Sequence, residues 1–451
     1  MAWSRVHETR YKRTLGENET FIKIIGDAAH PLNREHWAIN FLAAITPLGS
    51  LAQEDLSWLL REAWKTLRFH HPTIAAYILD ESDYIYDVPD TLALEQWARE
   101  TFRVVEDKTA EEVIASTTLC PYATMTYLPK TGEILGHSQH WRTDGVGVLM
   151  LMDDFLTLVA QYPRDASSLP WGEEAVRLTP PIEEAAGLSA SPSEEDKRLG
   201  QECVATFGHA VGAIGIVSQA PADAVPGGTH IASLHLTEEE TSVVVRACKA
   251  KNLSVTAAVH ASVAAANYAL AASEDRGKHY TSTIRYNFRS FLPEPYSGRE
   301  YASTIFTTGW MVPVPAESSW AERAKFYHTE YRKGLSPAYI SAHREYATGL
   351  CNLLLSLPVG APSPTDVDIS SLGVAENFIA REKGTAERGV RIERLSISLE
   401  MVNRQCVCHV WTFRNQLCLN LTYNHAFHDK ADMDTFVKTV RDSLLQEVTA
   451  Y

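Results

Sequence analysis

Six consecutive residues, His140-Trp141-Arg142-Thr143-Asp144-Gly145, carry the types and spacing that acid–base chemistry needs. Histidine titrates near neutral pH, so it can take a proton from a hydroxyl and return it to a leaving group. The spacing His-x-x-x-Asp-Gly suits an imidazole held at a strand end as a proton acceptor. Asp144 is expected to point away and lock the turn. Gly145 is expected to supply a backbone conformation that other residues resist.

The flanking runs predict how the motif is held. Glu133 to His140 reads as a strand, paired with Tyr122 to Leu128 around Pro129-Lys130-Thr131-Gly132. Val146 to Tyr162 is apolar and reads as a helix buried on most sides. His137, three residues before His140, falls on the opposite strand face and reads as structural. Upstream, Ser50 with Gln53 predicts a capping box, followed by the stripe Leu56, Leu60, Ala63, Trp64 and Leu67 and a stop at Pro72. Pro163 to Ser193 is rich in Pro and Ser and reads as a linker. Beyond it, Ile231 to Leu236 predicts a strand. Thr237 with Glu240 caps a helix through Lys251, and Ser254 caps the next. His279 to Tyr286 and Ile392 to Val402 read as strands. Cys406 to Phe413 and Leu417 to Asn424 form a hairpin. In its second strand Leu417, Leu419, Leu421 and Tyr423 face one way, and Asn420, Thr422 and Asn424 the other. A last helix starts near Lys430. Strands and helices mixed through both halves imply two layered α/β domains.

Composition narrows the function. The 451 residues are 45% hydrophobic and 22% charged, which fits a globular chain of two or three domains. The net charge of -15 is opposite to the basic footprint of nucleic-acid binding. No membrane span or secretory signal is read. The seven cysteines lack a disulfide framework and read as free thiols of a reducing cytosol, so a cytoplasmic protein is expected. His425, His428 and Asp429 match no common zinc spacing, and no metal is expected. The basic segment Arg381, Lys383, Arg388, Arg391 and Arg394 is interleaved with Glu382, Glu387 and Glu393, which reads as a solvated loop.

The motif His140 to Gly145, set between strand and helix, resembles the active-site motif of the acyl-CoA-dependent acyltransferases of the chloramphenicol-acetyltransferase superfamily. That group includes the plant BAHD enzymes and the condensation domains of peptide synthetases. The closer resemblance is to fungal trichothecene 15-O-acetyltransferase-like proteins. Softer matches are Trp171-Gly172-Glu173-Glu174 through Ala185-Ala186-Gly187, Tyr286-Asn287-Phe288-Arg289, Ser370-Ser371-Leu372-Gly373 and Tyr423-Asn424-His425. The Asp-Phe-Gly-Trp-Gly motif of the plant branch is absent.

The resemblance implies a fold of two chloramphenicol-acetyltransferase-like domains of mixed sheets with an active-site tunnel between them. Residues 1–180 would form the first domain, 181–215 a linker and crossover, and 216–451 the second. It implies His140 as general base and Asp144 in an ion pair with Arg289, or alternatively Arg285. Asn424, Thr422 and Ser371 are candidate oxyanion or acceptor contacts. The implied reaction is acetyl transfer from acetyl-CoA, a co-substrate and not a bound cofactor, to a hydroxyl of a hydrophobic secondary metabolite. A monomer is implied. The alternatives are a condensation-like enzyme that forms an amide or cyclises a polyketide or terpenoid intermediate, and a non-catalytic ligand-binding protein.

Overall fold

The computed structural model describes residues 2–80, 82–161, 165–218, 220–221, 223–358 and 365–450. Tyr162 and Pro163, at the ends of an expected helix and linker, lie outside them. The chain divides into two compact units, and neither is one continuous stretch. The first is Met1–Ser191 with Asn287–Phe306 and Glu376–Ile397. The second is Pro192–Tyr286 with Thr307–Ala375 and Ser398–Tyr451. The expected segments, cut at 180 and 216, were continuous; the units borrow two later returns of the chain. Part of the expected linker is ordered helix, Glu194–Ala205, opened by a capping box between Ser193 and Asp196.

The first unit is built on a six-stranded mixed sheet, in the order Glu382–Gly384, Arg388–Leu399, Ile39–Gly49, Glu133–Ser138, Thr124–Leu128 and Phe102–Val104. Thr124–Leu128 and Glu133–Ser138 pair antiparallel as the hairpin the sequence predicts. Ile39 lies opposite Ser138, which fixes the register next to the motif. The helix Leu56–His70 packs against the helix Gly145–Ala160. Leu60, Ala63, Trp64 and Leu67 of the expected stripe are buried. The start differs from expectation. Ser50–Gln53 is a separate 3-10 turn, and Asp55 caps the helix by accepting from Trp58 N at 3.2 Å. Asp55 wins because its carboxylate accepts a helix-end N–H more strongly than a serine hydroxyl does.

The second unit carries a four-stranded sheet, in the order Val367–Val374, Cys406–Phe413, Gln416–Asn424 and Thr229–His235. Its first pair is parallel and the others antiparallel. Thr237 and Ser254 cap the helices Glu238–Ala250 and Val255–Leu270, as the sequence predicts. The helix Lys430–Thr449 packs on Val255–Leu270 and on the sheet. Along Leu417–Asn424 every residue is buried, so the alternation read from the sequence does not separate core from solvent. Both faces are covered, and on the polar face the Asn424 amide bonds to Gly227 O and Met401 O instead of water. Among the described residues no single helix is long and apolar enough to cross a membrane.

Candidate active site

The strand Glu133–Ser138 ends two residues before His140, and His140–Arg142 form a single 3-10 turn. The ring of His140 is half-buried, and its Nδ1 lies 3.1 Å from the carbonyl oxygen of Thr143. A carbonyl oxygen can only accept, so Nδ1 carries the proton in this bond. The neutral ring then has its lone pair on Nε2, the tautomer a general base needs. His137 is different. Its Nδ1 lies 2.8 Å from Asn40 Oδ1, and desolvation pushes its pKa down to about 4. It stays neutral and holds the strand.

Asp144 is only 3% exposed and caps the Gly145–Ala160 helix. Its Oδ1 accepts from Gly147 N at 2.8 Å. Arg289 Nη1 reaches both carboxylate oxygens, at 2.8 and 2.7 Å, and Phe306 N donates to Oδ2 at 2.7 Å. With its oxygens so occupied, the carboxylate anchors three segments and does not contact the imidazole through any of these bonds. The guanidinium is itself 3% exposed, and its Nη2 donates to Thr304 O at 3.2 Å. Of the two arginines considered, Arg285 is engaged elsewhere, on Asp368 at 2.6 Å in the second unit.

Gly145 departs from expectation. It opens the helix in ordinary helical backbone and is not among the positive-φ residues. The glycine that sterics demand is Gly147. A Cβ there would stand 2.3 Å from Ala302 O and 2.5 Å from Thr143 Oγ1. Thr143 Oγ1 donates to the same Ala302 carbonyl at 2.9 Å. The sequence hides this requirement because the crowding carbonyl lies far along the chain. Arg142 is a second residue whose part in the site the sequence does not reveal. It is 1% exposed and donates to Thr73 O, Ala76 O, Tyr84 Oη, Pro121 O and Gln139 Oε1. It holds the motif turn to the rest of its unit. The sequence gives no local signal for this, since Arg142 stands among His140, Thr143 and Asp144.

The candidate oxyanion contacts fare unequally. Asn424 is fully buried, and its amide donates to Gly227 O at 2.7 Å and Met401 O at 2.8 Å. Both N–H groups are spent, so it has none for an oxyanion. Thr422 is also fully buried, with its hydroxyl 3.4 Å from His409 Nδ1. Ser371 alone meets open space. Within the second unit it lines a cavity of about 290 Å3 with Ser254, Thr256, Arg285, Tyr331, Arg332, Leu372 and Gly373. Ser371 and Thr256 hydroxyls lie 3.0 Å apart, and Tyr331 Oη lies 3.2 Å from His260 Nδ1. The basic segment is taken up by acids: Arg381 with Glu376, Lys383 with Asp153, Arg388 with Glu54, Arg391 with Glu382 and Arg394 with Glu133.

A histidine just past a strand end, with its Nδ1 on a carbonyl, thus stands close in sequence to a carboxylate buried against a guanidinium. The comparisons identify the relatives of this chain. It is 42% identical over 453 residues to the acetyltransferase pigO of Monascus ruber, covering 99% of this chain and 98% of that protein. It is 30% identical to the O-acetyltransferase pigM of the same organism, over 92% of this chain and 80% of that one. The fold matches the trichothecene 15-O-acetyltransferase TRI3 of Fusarium sporotrichioides with a TM-score of 0.82 at 18% identity, covering 98% and 97% of the two chains. No family model matches the sequence. The chain is an acyltransferase, and it belongs to the family of fungal acetyltransferases that includes pigO and pigM.

Proposed function

We propose that this enzyme moves an acetyl group from acetyl-CoA to a hydroxyl of a hydrophobic secondary metabolite, with His140 as general base. The observation that carries the reading is the bond between His140 Nδ1 and Thr143 O, which leaves the basic lone pair on Nε2. Nε2 takes the hydroxyl proton as the acceptor oxygen attacks the thioester carbonyl. The tetrahedral oxyanion collapses, the C–S bond breaks, and the imidazolium returns the proton to the CoA thiolate. No covalent acyl-enzyme is needed. A positioned base of this kind is worth ~10²–10⁴-fold. Asp144 and Arg289 act as positioning residues that hold the turn.

A phosphorylated donor needs a local basic site on this acidic protein. The second-unit cavity, lined by Arg332 and the hydroxyls of Ser254, Thr256 and Ser371, with Arg285 already paired to Asp368, is the best-suited place among those described. Ser371 is the one candidate contact that keeps a role there. Monomeric, cytoplasmic behaviour completes the proposal. The names of the relatives support acetyl transfer, to an oxygen in the case of pigM, since pigO is called an acetyltransferase and pigM an O-acetyltransferase.

The test is incubation with acetyl-CoA and an extract of candidate metabolites. CoA should be released only when acceptor is present, and a product should gain the mass of one acetyl group. His140→Ala should lose ~10²–10⁴-fold of the rate with an unchanged melting temperature. Full turnover by that variant would overturn the assignment. CoA release only with amine acceptors would replace the ester reading with amide formation.

A further inference from the structure

The helix Glu17–Asp27 in the first unit ends on Gly26-Asp27, and the chain then turns through His30–Leu32 toward Glu35. This stretch gathers a mixed set of donors. His30 Nε2 lies 2.8 Å from Glu35 Oε2 and 3.3 Å from Asp27 Oδ1. The ligand atoms of Asp27, His30 and Glu35 lie within 4.8 Å of one another. Gly26 makes the room: a Cβ there would stand 2.4 Å from Glu35 Oε1.

The hydrogen bonding is incomplete. One ring N–H points along one line, so donation to Glu35 Oε2 does not serve Asp27 Oδ1. Asp27 Oδ1 and Glu35 Oε1 are both shielded from solvent and have no hydrogen-bond partner. Glu35 itself is only 7% exposed. Lys23 pairs with the other oxygen of Asp27. An anionic oxygen without a donor is costly where it is dry, most of all for the buried Glu35; the Asp27 side chain is 36% exposed. A cation placed among these oxygens removes that cost.

We propose that Asp27, His30 and Glu35 bind one divalent cation of borderline character, with Zn2+ the best fit. One imidazole and two carboxylates suit zinc, whereas calcium and magnesium favour all-oxygen shells with more ligands. Zinc bonds to such atoms are about 2.0–2.2 Å long, which sets neighbouring ligand atoms about 3.4 Å apart around a tetrahedron. The present 2.8 and 3.3 Å separations lie near that spacing. His30 would bind through Nε2 in the tautomer with its proton on Nδ1, and water would fill the fourth position. The ion would clip the last turn of the helix to the loop before the strand Ile39–Gly49. That strand pairs with Ser138 at Ile39, and the helix packs on the His140–Arg142 turn. The site stabilises the support of the motif and takes no part in the transfer.

The experiment is calorimetric titration of chelator-treated full-length protein with ZnCl2, and separately with MgCl2 and CaCl2, with melting temperature as a second readout. One equivalent of zinc should bind and raise the melting temperature, while magnesium and calcium leave both unchanged. An outer partner of a metal site alone is worth about 10–100-fold in affinity, so His30→Ala should weaken zinc by ~100-fold or more. The His30 side chain is 41% exposed, so this variant should fold. Glu35→Gln, which keeps the shape, should weaken zinc as well. Equal zinc isotherms for wild type and His30→Ala would overturn the proposal. So would absent zinc uptake, which would leave the cluster as a protonated imidazole between two carboxylates.

Discussion

Replacing Asp144 by alanine separates an anchor from a proton relay. The carboxylate accepts from Gly147 N, Phe306 N and Arg289. Loss of the helix cap costs about 1 kcal/mol. Loss of the partner leaves the buried Arg289 guanidinium without its carboxylate, which costs about 3–5 kcal/mol. The total of about 4–6 kcal/mol approaches the whole stability of many domains. Urea unfolding followed by fluorescence should therefore show a large fall in midpoint for Asp144→Ala. Asp144→Asn keeps an oxygen for Gly147 and should fall less. The double variant Asp144→Ala with Arg289→Met removes the stranded charge, so it should be more stable than Asp144→Ala alone. That cycle measures the coupling between the two residues directly. A relay role predicts the reverse pattern: a wild-type midpoint with transfer abolished. That result would refute the reasoning.

Two further outcomes follow from the same geometry. Gly147→Ala drives a methyl onto the Ala302 carbonyl, a backbone atom that cannot rotate away. It should lower stability by ~1–3 kcal/mol in a urea titration, whereas Gly145→Ala should be nearly neutral. Glu183 is 1% exposed, and desolvation, followed by the nearby charge of Glu17, raises its pKa to about 7. Its folded pKa is above the unfolded value, so its contribution is complete below pH about 4.5 and is lost as pH rises through about 7, a change of about 3 kcal/mol. Asp366, raised to about 7 mainly by desolvation and then by Asp368, adds loss in the same direction. Glu183→Gln should remove its share of that slope from unfolding midpoints measured between pH 4.5 and 8. An unchanged profile would contradict the buried-acid account.

What could be read from the sequence was mostly local. The hairpin before His140, the caps Thr237 and Ser254, and the end of the helix at Pro72 depend on neighbours within a few residues. What could not be read depends on distant backbone. The need for Gly147 comes from Ala302, and Asn424 is claimed by Gly227, so its open-looking strand end is closed. Arg289 as the partner of Asp144 came from resemblance, since spacing cannot connect residues 145 positions apart. Ser50 with Gln53 satisfied a local pattern that a stronger local competitor, Asp55, overrode. The alternating strand Leu417–Asn424 misled because a sheet covered on both faces can hide polar side chains that bond internally.

The first unit is threaded from three separate stretches, the last ending at Ile397. During synthesis it therefore cannot finish until nearly nine-tenths of the chain has left the ribosome. Its carboxylate at Asp144 waits unpartnered until Arg289 emerges. Early release of an N-terminal fragment would strand apolar surface and invite aggregation, so folding should be largely post-translational and slow. For the same reason, recombination that swaps one half of the gene between related enzymes would break this unit, whereas exchange at the surface loops would not.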